Sequence, residues 1–326
     1  MKGQPMNKSQ ANQLQEFRRL SGGFRASRVV LTANNFAVFE YLKTPRTADT
    51  IAKKIKTDPR ATEILLDAVA ALGLLRKNGP RYVNTTLART FLVKESPWYQ
   101  GDMLRHSDQL WKSWSGLDEV VRTGLPDRSG GRDYEVFIRA MHNNALLRAK
   151  DVVGTLDLAG VTRALDLGGG PGTYSMELAR EKISVTLFDM PEAIEIARQL
   201  IAGSKLTNIY PLAGDFHTDD IGKGYDLVFI SQILHSLSAD DSRALLKKAF
   251  AALNHGGRVA IHEFTLEEDR ARPAPGALFS VNMLVNTMSG RCYTPREMKA
   301  WLTKTGFRKI KTKVLGETVV LTGSKE

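Results

Sequence analysis

The sequence predicts an α/β fold in which a mostly α-helical, winged-helix-like domain precedes a Rossmann-like domain with a seven-stranded sheet. From Val161 onward, short apolar runs alternate with helical patterns, which is typical of parallel strands covered by helices on both faces. The chain ends in two strand-like segments joined at Leu315-Gly316, so the sheet should finish with an antiparallel hairpin. We place the domains at residues 1–95, 96–160 and 161–326, the middle one being a helical connector.

The composition is that of a soluble globular protein and excludes several classes. Apolar residues make up 42% and charged residues 25% of the 326 positions. No apolar run approaches the ~18 residues of a membrane-spanning helix, and the N-terminal segment lacks the apolar core of a signal peptide. Cys292 is the single cysteine, which excludes an intrachain disulfide and a cysteine-built metal site. We therefore expect a cytoplasmic protein with no membrane partner and no metal.

The charge is distributed unevenly. The net charge is +11, and all of the excess lies in residues 1–150, which hold 25 basic and 14 acidic residues, against 21 of each in the remainder. Such an asymmetry indicates either an acidic partner, such as nucleic acid or a membrane, or a solvated basic surface. The charge alone does not decide between them.

The N-terminal domain is predicted from helix signals and one turn. Leu14, Phe17 and Leu20 recur at helical spacing, and we expect Gly22-Gly23 to interrupt that helix. The next segment, Phe24 to Leu42, carries more apolar residues than one face of a solvated helix needs, which predicts a homodimer. The elements that follow have the order of a winged helix: helix 47–55, helix 59–72 with Asp58 as its N-cap, a hairpin turning at Asn78-Gly79, and a short helix over 86–92.

The C-terminal domain is predicted as alternating strands and helices. The predicted strands are 163–168, 184–189, 208–213, 225–231 and 257–264, followed by the hairpin 307–314 and 317–323. The predicted helices are 174–180, 191–201 and 240–253. A dinucleotide-binding fold does not end in such a hairpin, whereas five strand–helix steps followed by a hairpin match the sheet of methyltransferases.

A glycine-rich turn, residues 165–175, follows the first strand of this domain and opens a helix. Gly168, Gly170 and Gly172 would let a ligand approach the backbone and the free N–H groups of the helix start. Their spacing is G-x-G-x-G, because Thr173 stands where the dinucleotide motif has its third glycine. Pro171 and the absence of a following lysine in the motif argue against a phosphate-binding loop.

Acidic residues end the next two strands. Asp189 lies 19 residues after Gly170, where a carboxylate can accept both hydroxyls of a ribose. Asp215 follows the third strand and could accept an adenine amino group, while Phe216 could flank the ring. Each alone is explained by an ordinary strand-end turn, but the three strand ends in register predict a nucleoside site.

This set of motifs resembles the class I S-adenosylmethionine-dependent methyltransferases. Residues 231–264, SQILHSLSADDSRALLKKAFAALNHGGRVAIHEF, are similar to the aromatic O-methyltransferase family, typified by caffeic acid and hydroxyindole O-methyltransferases. The resemblance implies S-adenosylmethionine as methyl donor, a small aromatic acceptor and an N-terminal dimerisation domain. It also adds Asp166, Met190 and Ser231 to the residues expected to bind the donor.

The resemblance assigns a catalytic pair and shows two departures. His235 falls on the position of the family's general base, and Glu263 on the first of two carboxylates that flank it. A phenol has a pKa of about 10 and a histidine of about 6.5, so histidine suits this proton transfer. The second carboxylate is replaced by Cys292, and the Asp-Trp that usually follows the histidine is Ser236-Leu237.

The acceptor pocket is expected between the helix before the sheet and the helix after the fifth strand. Met and Asn side chains give an apolar slot with a few polar contacts, as a planar ring requires. Core packing would explain Met283 equally well. The expected acceptor residues are Met141, His142, Asn282, Met283 and Asn286.

Other functions stay open at this stage. The replacements at Cys292 and Ser236-Leu237 are compatible with C-methylation of an aromatic or tetrapyrrole-like molecule. A nucleic-acid methyltransferase is disfavoured, because the fourth strand is followed by Ser231-Gln232-Ile233-Leu234 instead of an N/D-P-P-Y loop. A DNA-binding regulator is disfavoured too, since the helix 59–72 carries only Glu63 and Asp67 as charges after Arg60.

Overall fold

The structure is a computed structural model that describes residues 6–129 and 133–326. It divides into two compact units, Met1–Asp108 and Gln109–Glu326, and the predicted connector 96–160 spans this division. None of the helices it describes is long and apolar enough to cross a membrane.

The first unit consists of helices and a small antiparallel sheet. Its helices are α1 (Lys8–Asn35), α2 (Val38–Tyr41), α3 (Ala48–Ile55), α4 (Pro59–Ala71), α5 (Thr86–Phe91) and the start of α6 (Gly101–Ser115). Its strands are β1 (Arg46–Thr47), β2 (Leu75–Asn78) and β3 (Arg81–Asn84), in the order β1-β3-β2. Asp58 caps α4 by accepting a 2.7 Å hydrogen bond from the N–H of Ala61, so the predicted helix start is confirmed. The predicted hairpin is confirmed as β2 and β3.

The predicted break at Gly22-Gly23 is wrong, because α1 runs without interruption from Lys8 to Asn35. Glycine costs a helix only about 1 kcal/mol relative to alanine, and this cost is a weak predictor over a long helix. The helix start is held by a capping box, in which Asn7 and Gln10 exchange backbone and side-chain hydrogen bonds.

The second unit contains the predicted Rossmann-like domain. Its helices are the rest of α6, α7 (Leu117–Thr123), α8 (Tyr134–Leu146), α9 (Ala149–Val153), α10 (Thr173–Arg180), α11 (Pro191–Ser204), α12 (Ala239–Ala252), α13 (Ala274–Asn286) and α14 (Pro295–Thr305). Its strands are β4 (Arg163–Leu167), β5 (Ser184–Asp189), β6 (Ile209–Ala213), β7 (Tyr225–Ser231), β8 (Leu253–Phe264), β9 (Arg308–Leu315) and β10 (Thr318–Ser324).

These strands form one seven-stranded sheet within the described part of the unit, in the order β6-β5-β4-β7-β8-β10-β9. The five strands β4 to β8 pair in parallel, and β10 pairs antiparallel with both β8 and β9. The predicted seven-stranded sheet, its parallel strands and the final antiparallel hairpin are therefore confirmed.

Both faces of this sheet are buried. On β7, Val228 and Ile230 belong to one apolar cluster, while Leu227 and Phe229 belong to the cluster on the opposite face. This explains why the strand is a continuous apolar run instead of an alternating one. Since β4 to β8 are parallel, their carboxyl ends share one edge of the sheet, where ligands of such folds bind.

Candidate active site

The glycine-rich turn after β4 leaves its backbone at Gly170 accessible to a ligand. Gly168 and Gly170 have φ angles of 71° and 52°, in the left-handed region that glycine adopts without strain. A side chain on Gly168 would collide with Ile233, so β4 and the turn after β7 need this glycine to approach each other. Around Gly170 nothing lies within 4 Å of the position a Cβ would take. The turn is therefore packed against Ile233 at Gly168 and open at Gly170.

Asp189 is bonded to the turn by its carboxylate. Oδ2 accepts a 2.7 Å hydrogen bond from the N–H of Gly170, and Oδ1 accepts a 2.7 Å bond from the N–H of Met190. Burial raises the pKa of Asp189, and these two N–H donors oppose that shift. Met190 follows with its side chain 41% exposed. A carboxylate held in this way keeps lone pairs for ribose hydroxyls.

Asp166, inside β4, is fully buried beneath the turn. Its Oδ2 accepts a 2.6 Å hydrogen bond from the hydroxyl of Ser175. Its Oδ1 is buried without a hydrogen-bond partner among the residues that the structure describes. Burial raises the pKa of Asp166 to about 7. Oδ1 therefore retains the capacity to accept a hydrogen bond from a bound ligand.

The loop after β6 carries Asp215 and Phe216 and is anchored by a lysine. Asp215 is half-buried, and its Oδ1 accepts a 2.8 Å bond from the N–H of His217. The ammonium of Lys248, on α12, donates to the carbonyl oxygens of Phe216 at 2.7 Å and Asp219 at 2.8 Å. Sequence reasoning missed Lys248, because a lysine on a helix is normally a solvated residue.

His235 and Glu263 meet at the ends of β7 and β8. Nδ1 of His235 lies 2.7 Å from Oε2 of Glu263, and both side chains are largely buried. Oε1 of Glu263 accepts hydrogen bonds from the backbone N–H groups of Leu234 at 2.8 Å and His235 at 3.4 Å. One carboxylate therefore holds both the turn after β7 and the imidazole, and Nε2 is the ring nitrogen that it does not contact.

Ser231 lies at the end of β7 and bonds within the protein. Its hydroxyl is 2.9 Å from Nδ1 of His262, and the hydroxyl of Tyr174 is 3.4 Å from the same nitrogen. Burial lowers the pKa of His262 to about 4, so this imidazole is neutral. The next residue, Gln232, has a φ of 59° and a buried Nε2 without a partner in the described ranges. Its left-handed backbone and the unpartnered Nε2 make Gln232 a candidate for ligand binding that the sequence did not indicate.

The predicted acceptor residues lie on α8 and α13. Nδ1 of His142 is 2.8 Å from the hydroxyl of Thr173, at the start of α10, and burial lowers the pKa of His142. Oδ1 of Asn282 accepts from Nε1 of Trp114 at 3.0 Å and from Nδ2 of Asn286 at 3.0 Å. Two further predicted residues differ in burial, in that Met141 is half-buried and Met283 is buried.

Cys292 is buried and lies within the electrostatic influence of Glu263. Its N–H donates to the hydroxyl of Ser280 at 3.2 Å. Burial, with a contribution from the charge of Glu263, raises the pKa of the thiol to about 11, so it is protonated at neutral pH. Residues 6–129 and 133–326 contain no group of three or more side chains placed to hold a metal ion.

Comparisons with known proteins agree with this geometry. A family model described as "O-methyltransferase domain" matches residues 107–308, and one described as "O-methyltransferase dimerisation domain" matches residues 18–94. The 3-hydroxy-5-methyl-1-naphthoate 3-O-methyltransferase of Streptomyces sahachiroi is 33% identical over 308 residues, which cover 90% of this chain and 89% of that protein. The acetylserotonin O-methyltransferase of Gallus gallus is 31% identical, covering 91% and 93%.

A solved structure extends the likeness to three dimensions. The human N-acetylserotonin methyltransferase in complex with S-adenosylmethionine has a TM-score of 0.88 and 26% identity, with 99% of each chain covered. The open glycine turn, the strand-end carboxylates and the unpartnered Oδ1 of Asp166 fit that donor. Since the domain model spans more than half of the 326 residues and the relatives align over nearly all of them, the chain belongs to the S-adenosylmethionine-dependent O-methyltransferase family.

Proposed function

We propose that this O-methyltransferase acts on a hydroxyl of a small aromatic acceptor, with His235 as the general base and Glu263 as the group that orients it. The observation that carries the proposal is the 2.7 Å contact between Nδ1 of His235 and Oε2 of Glu263. His235 lies two residues after Ile233, whose side chain packs against Gly168 of the glycine turn. Base and donor site are thus adjacent.

The donor site consists of the glycine turn and the strand-end side chains. Asp189 would accept both ribose hydroxyls, Asp215 the adenine amino group, and Phe216 and Met190 would flank the ring. Asp166 and Ser231 would complete the site, and Oδ1 of Asp166 would accept a hydrogen bond from S-adenosylmethionine. S-adenosylmethionine supplies, when bound, a methyl group on a positively charged sulfur, which keeps the electron pair of the broken carbon–sulfur bond.

The protein's part in the reaction is to align the acceptor and remove its proton. As the acceptor oxygen forms its bond to the methyl carbon, the phenolic proton passes to Nε2 of His235, because Nδ1 is engaged by Glu263. The carboxyl group of Glu263, in contact with Nδ1, stabilises the imidazolium that results. The products are the methyl ether, S-adenosylhomocysteine and one proton on the histidine.

The acceptor would lie against α8 and α13. Met141, His142, Asn282, Met283 and Asn286 are the residues we assign to it. The names of two relatives specify a hydroxynaphthoate and acetylserotonin, which are fused-ring aromatic compounds. A fused-ring phenol is therefore the acceptor class that we propose here.

We also propose a homodimer formed through the first unit, whose element order is that of a winged helix. Phe17, Leu20 and Phe24 lie on one face of α1 and are 64%, 66% and 55% exposed. A row of large apolar side chains in water is stabilised by a partner, and the match to a dimerisation domain supports a second copy. The single, buried Cys292 supports a reducing, cytoplasmic location.

The test of the proposed function is His235→Ala. A panel of naphthols and hydroxyindoles is incubated with S-adenosylmethionine, and the gain of one methyl group is followed by mass spectrometry. On the best acceptor the variant should lose about 10²–10⁴-fold in turnover, while calorimetry shows unchanged donor affinity. The control is His255→Ala, because His255 is exposed at the opposite end of β8. Full turnover by His235→Ala would disprove the base assignment.

A further inference from the structure

The imidazole of His235 contacts aromatic rings as well as a carboxylate. Phe279, on α13, packs against it edge to face, with ring centroids 4.8 Å apart and an interplanar angle of 80°. Phe264, which follows Glu263 on β8, stacks on Phe279 with centroids 4.1 Å apart. Phe264 and His235 are themselves 6.2 Å apart. The three rings form one cluster at the end of β7 and β8.

The carboxylate alone does not fix the orientation of the imidazole. A histidine χ2 angle has broad minima, so a ring held by one hydrogen bond at Nδ1 can rock about that bond. Such rocking moves Nε2, the nitrogen that must meet the acceptor hydroxyl. Edge-to-face packing at 80° opposes it, because the rocking ring would have to displace Phe279.

Within residues 6–129 and 133–326, Glu263 is the charged side chain in contact with the imidazole of His235, and positions 290 and 292 do not add a second one. Gly290 packs so closely on the carbonyl oxygen of His235 that a side chain there would collide with it. Cys292 is a buried thiol, and its backbone N–H bonds to Ser280. In the described ranges, the recorded partners of the imidazole are Glu263 and the rings of Phe279 and Phe264.

We propose that Phe279 is a positioning residue for His235: its ring, supported by Phe264, holds Nε2 toward the acceptor. This inference rests on the proposed role of His235 as the base. It also assigns a function to a further residue on the α13 face that carries Asn282, Met283 and Asn286, since positions 279, 282, 283 and 286 share one side of a helix.

The test is a double-mutant cycle of His235→Ala and Phe279→Leu, measured with a naphthol and with a ring-nitrated analogue that is already ionised at the assay pH. An aromatic pair of this kind accounts for about 2- to 12-fold. Phe279→Leu should lower kcat on the naphthol by that factor, with unchanged donor affinity. It should have no effect in the His235→Ala background and little effect on the ionised acceptor.

The matched control is Phe250→Leu. Phe250 and Phe307 form an edge-to-face pair with centroids 4.9 Å apart at 83°, at the end of α12 away from the carboxyl ends of the strands. This variant should lose stability and keep the turnover on both acceptors. Phe279→Tyr, which retains the ring, should keep kcat, and Phe279→Met serves as a second ring deletion if the leucine variant does not fold.

The possible results separate the two hypotheses. An equal loss from Phe279→Leu with and without His235, or with both acceptors, means that Phe279 contacts the acceptor or only supports the fold, and it overturns the inference alone. Full kcat in Phe279→Leu overturns it as well. Full turnover in His235→Ala overturns the proposed base and this inference together.

Discussion

Replacing Glu263 by glutamine separates the two roles of its carboxylate. In Glu263→Gln the amide oxygen can still accept the N–H groups of Leu234 and His235, which Oε1 accepts at 2.8 and 3.4 Å. The amide nitrogen then lies where Oε2 is 2.7 Å from Nδ1 of His235. Because that nitrogen only donates, Nδ1 must present its lone pair and the imidazole proton moves to Nε2.

The size of the effect follows from this tautomer. A histidine protonated at Nε2 cannot take the acceptor's proton, so the contribution of a general base is lost, about 10²–10⁴-fold in kcat. The flipped amide would keep the active tautomer, but it would face two backbone N–H groups with its own N–H donors. Leaving buried donors unsatisfied costs about 1–3 kcal/mol each, so the inactive arrangement is favoured.

The assay measures turnover of the best naphthol, together with donor affinity by calorimetry and melting temperature. Donor affinity should not change, and the melting temperature should change little. The control is Asp226→Asn, because Asp226 also accepts backbone N–H groups, from Thr162 and Arg163 at 3.0 Å each, but at the opposite end of the sheet. That variant should lose stability and keep turnover. Glu263→Gln with turnover within about threefold of the wild type would refute the orienting role.

Three further predictions concern the donor site. Asp189→Ala should weaken S-adenosylmethionine binding by about 10- to 150-fold in calorimetry, because a charge-assisted contact is lost, and unchanged affinity would contradict the assignment. Lys248→Met should raise the donor KM several-fold and leave kcat near the wild-type value, since it frees the loop of Asp215; an unaffected KM would show that the loop needs no anchor. The raised pKa of Asp166, about 7 against the ordinary ~3.9, means that the donor-free fold loses stability as the pH rises from about 4 through 7. The melting temperature of Asp166→Asn should not show this loss of stability over the same pH range. The same pH dependence of the melting temperature in the variant and the wild type would contradict the prediction.

The fold of the second unit could be predicted closely because its signals are local. Each parallel strand is a short apolar run with a turn at its end, and the observed strands β4, β5 and β7 lie within one residue of the predicted ranges. The first unit was predicted less well where local signals conflict. Gly22-Gly23 has the composition of a break, yet the backbone there is helical, because the segments on both sides favour helix.

The candidate site, too, could be predicted from sequence only where the signals are local. Gly170 and Asp189 could be placed together from sequence, since both follow parallel strands whose ends share an edge, and the structure joins them by a hydrogen bond. Lys248 and Phe279 could not, because each acts across a tertiary contact that no spacing encodes. A lysine on a helix and a phenylalanine in an apolar run have ordinary explanations, and only the loop carbonyls and the imidazole next to them reveal another role.

The hydrogen bonds around Glu263 also distinguish the structural role of position 263 from that of position 292. Glu263 supports the turn after β7 by two backbone hydrogen bonds, so losing it would disturb the fold as well as the base. At position 292 the backbone N–H donates to the hydroxyl of Ser280 on α13, not to that turn. A second carboxylate there would be buried within the field of Glu263, and two like charges in one apolar site force one of them to take a proton. With a neutral thiol at 292, Glu263 meets no competing carboxylate from that position and keeps its contact to Nδ1 of His235.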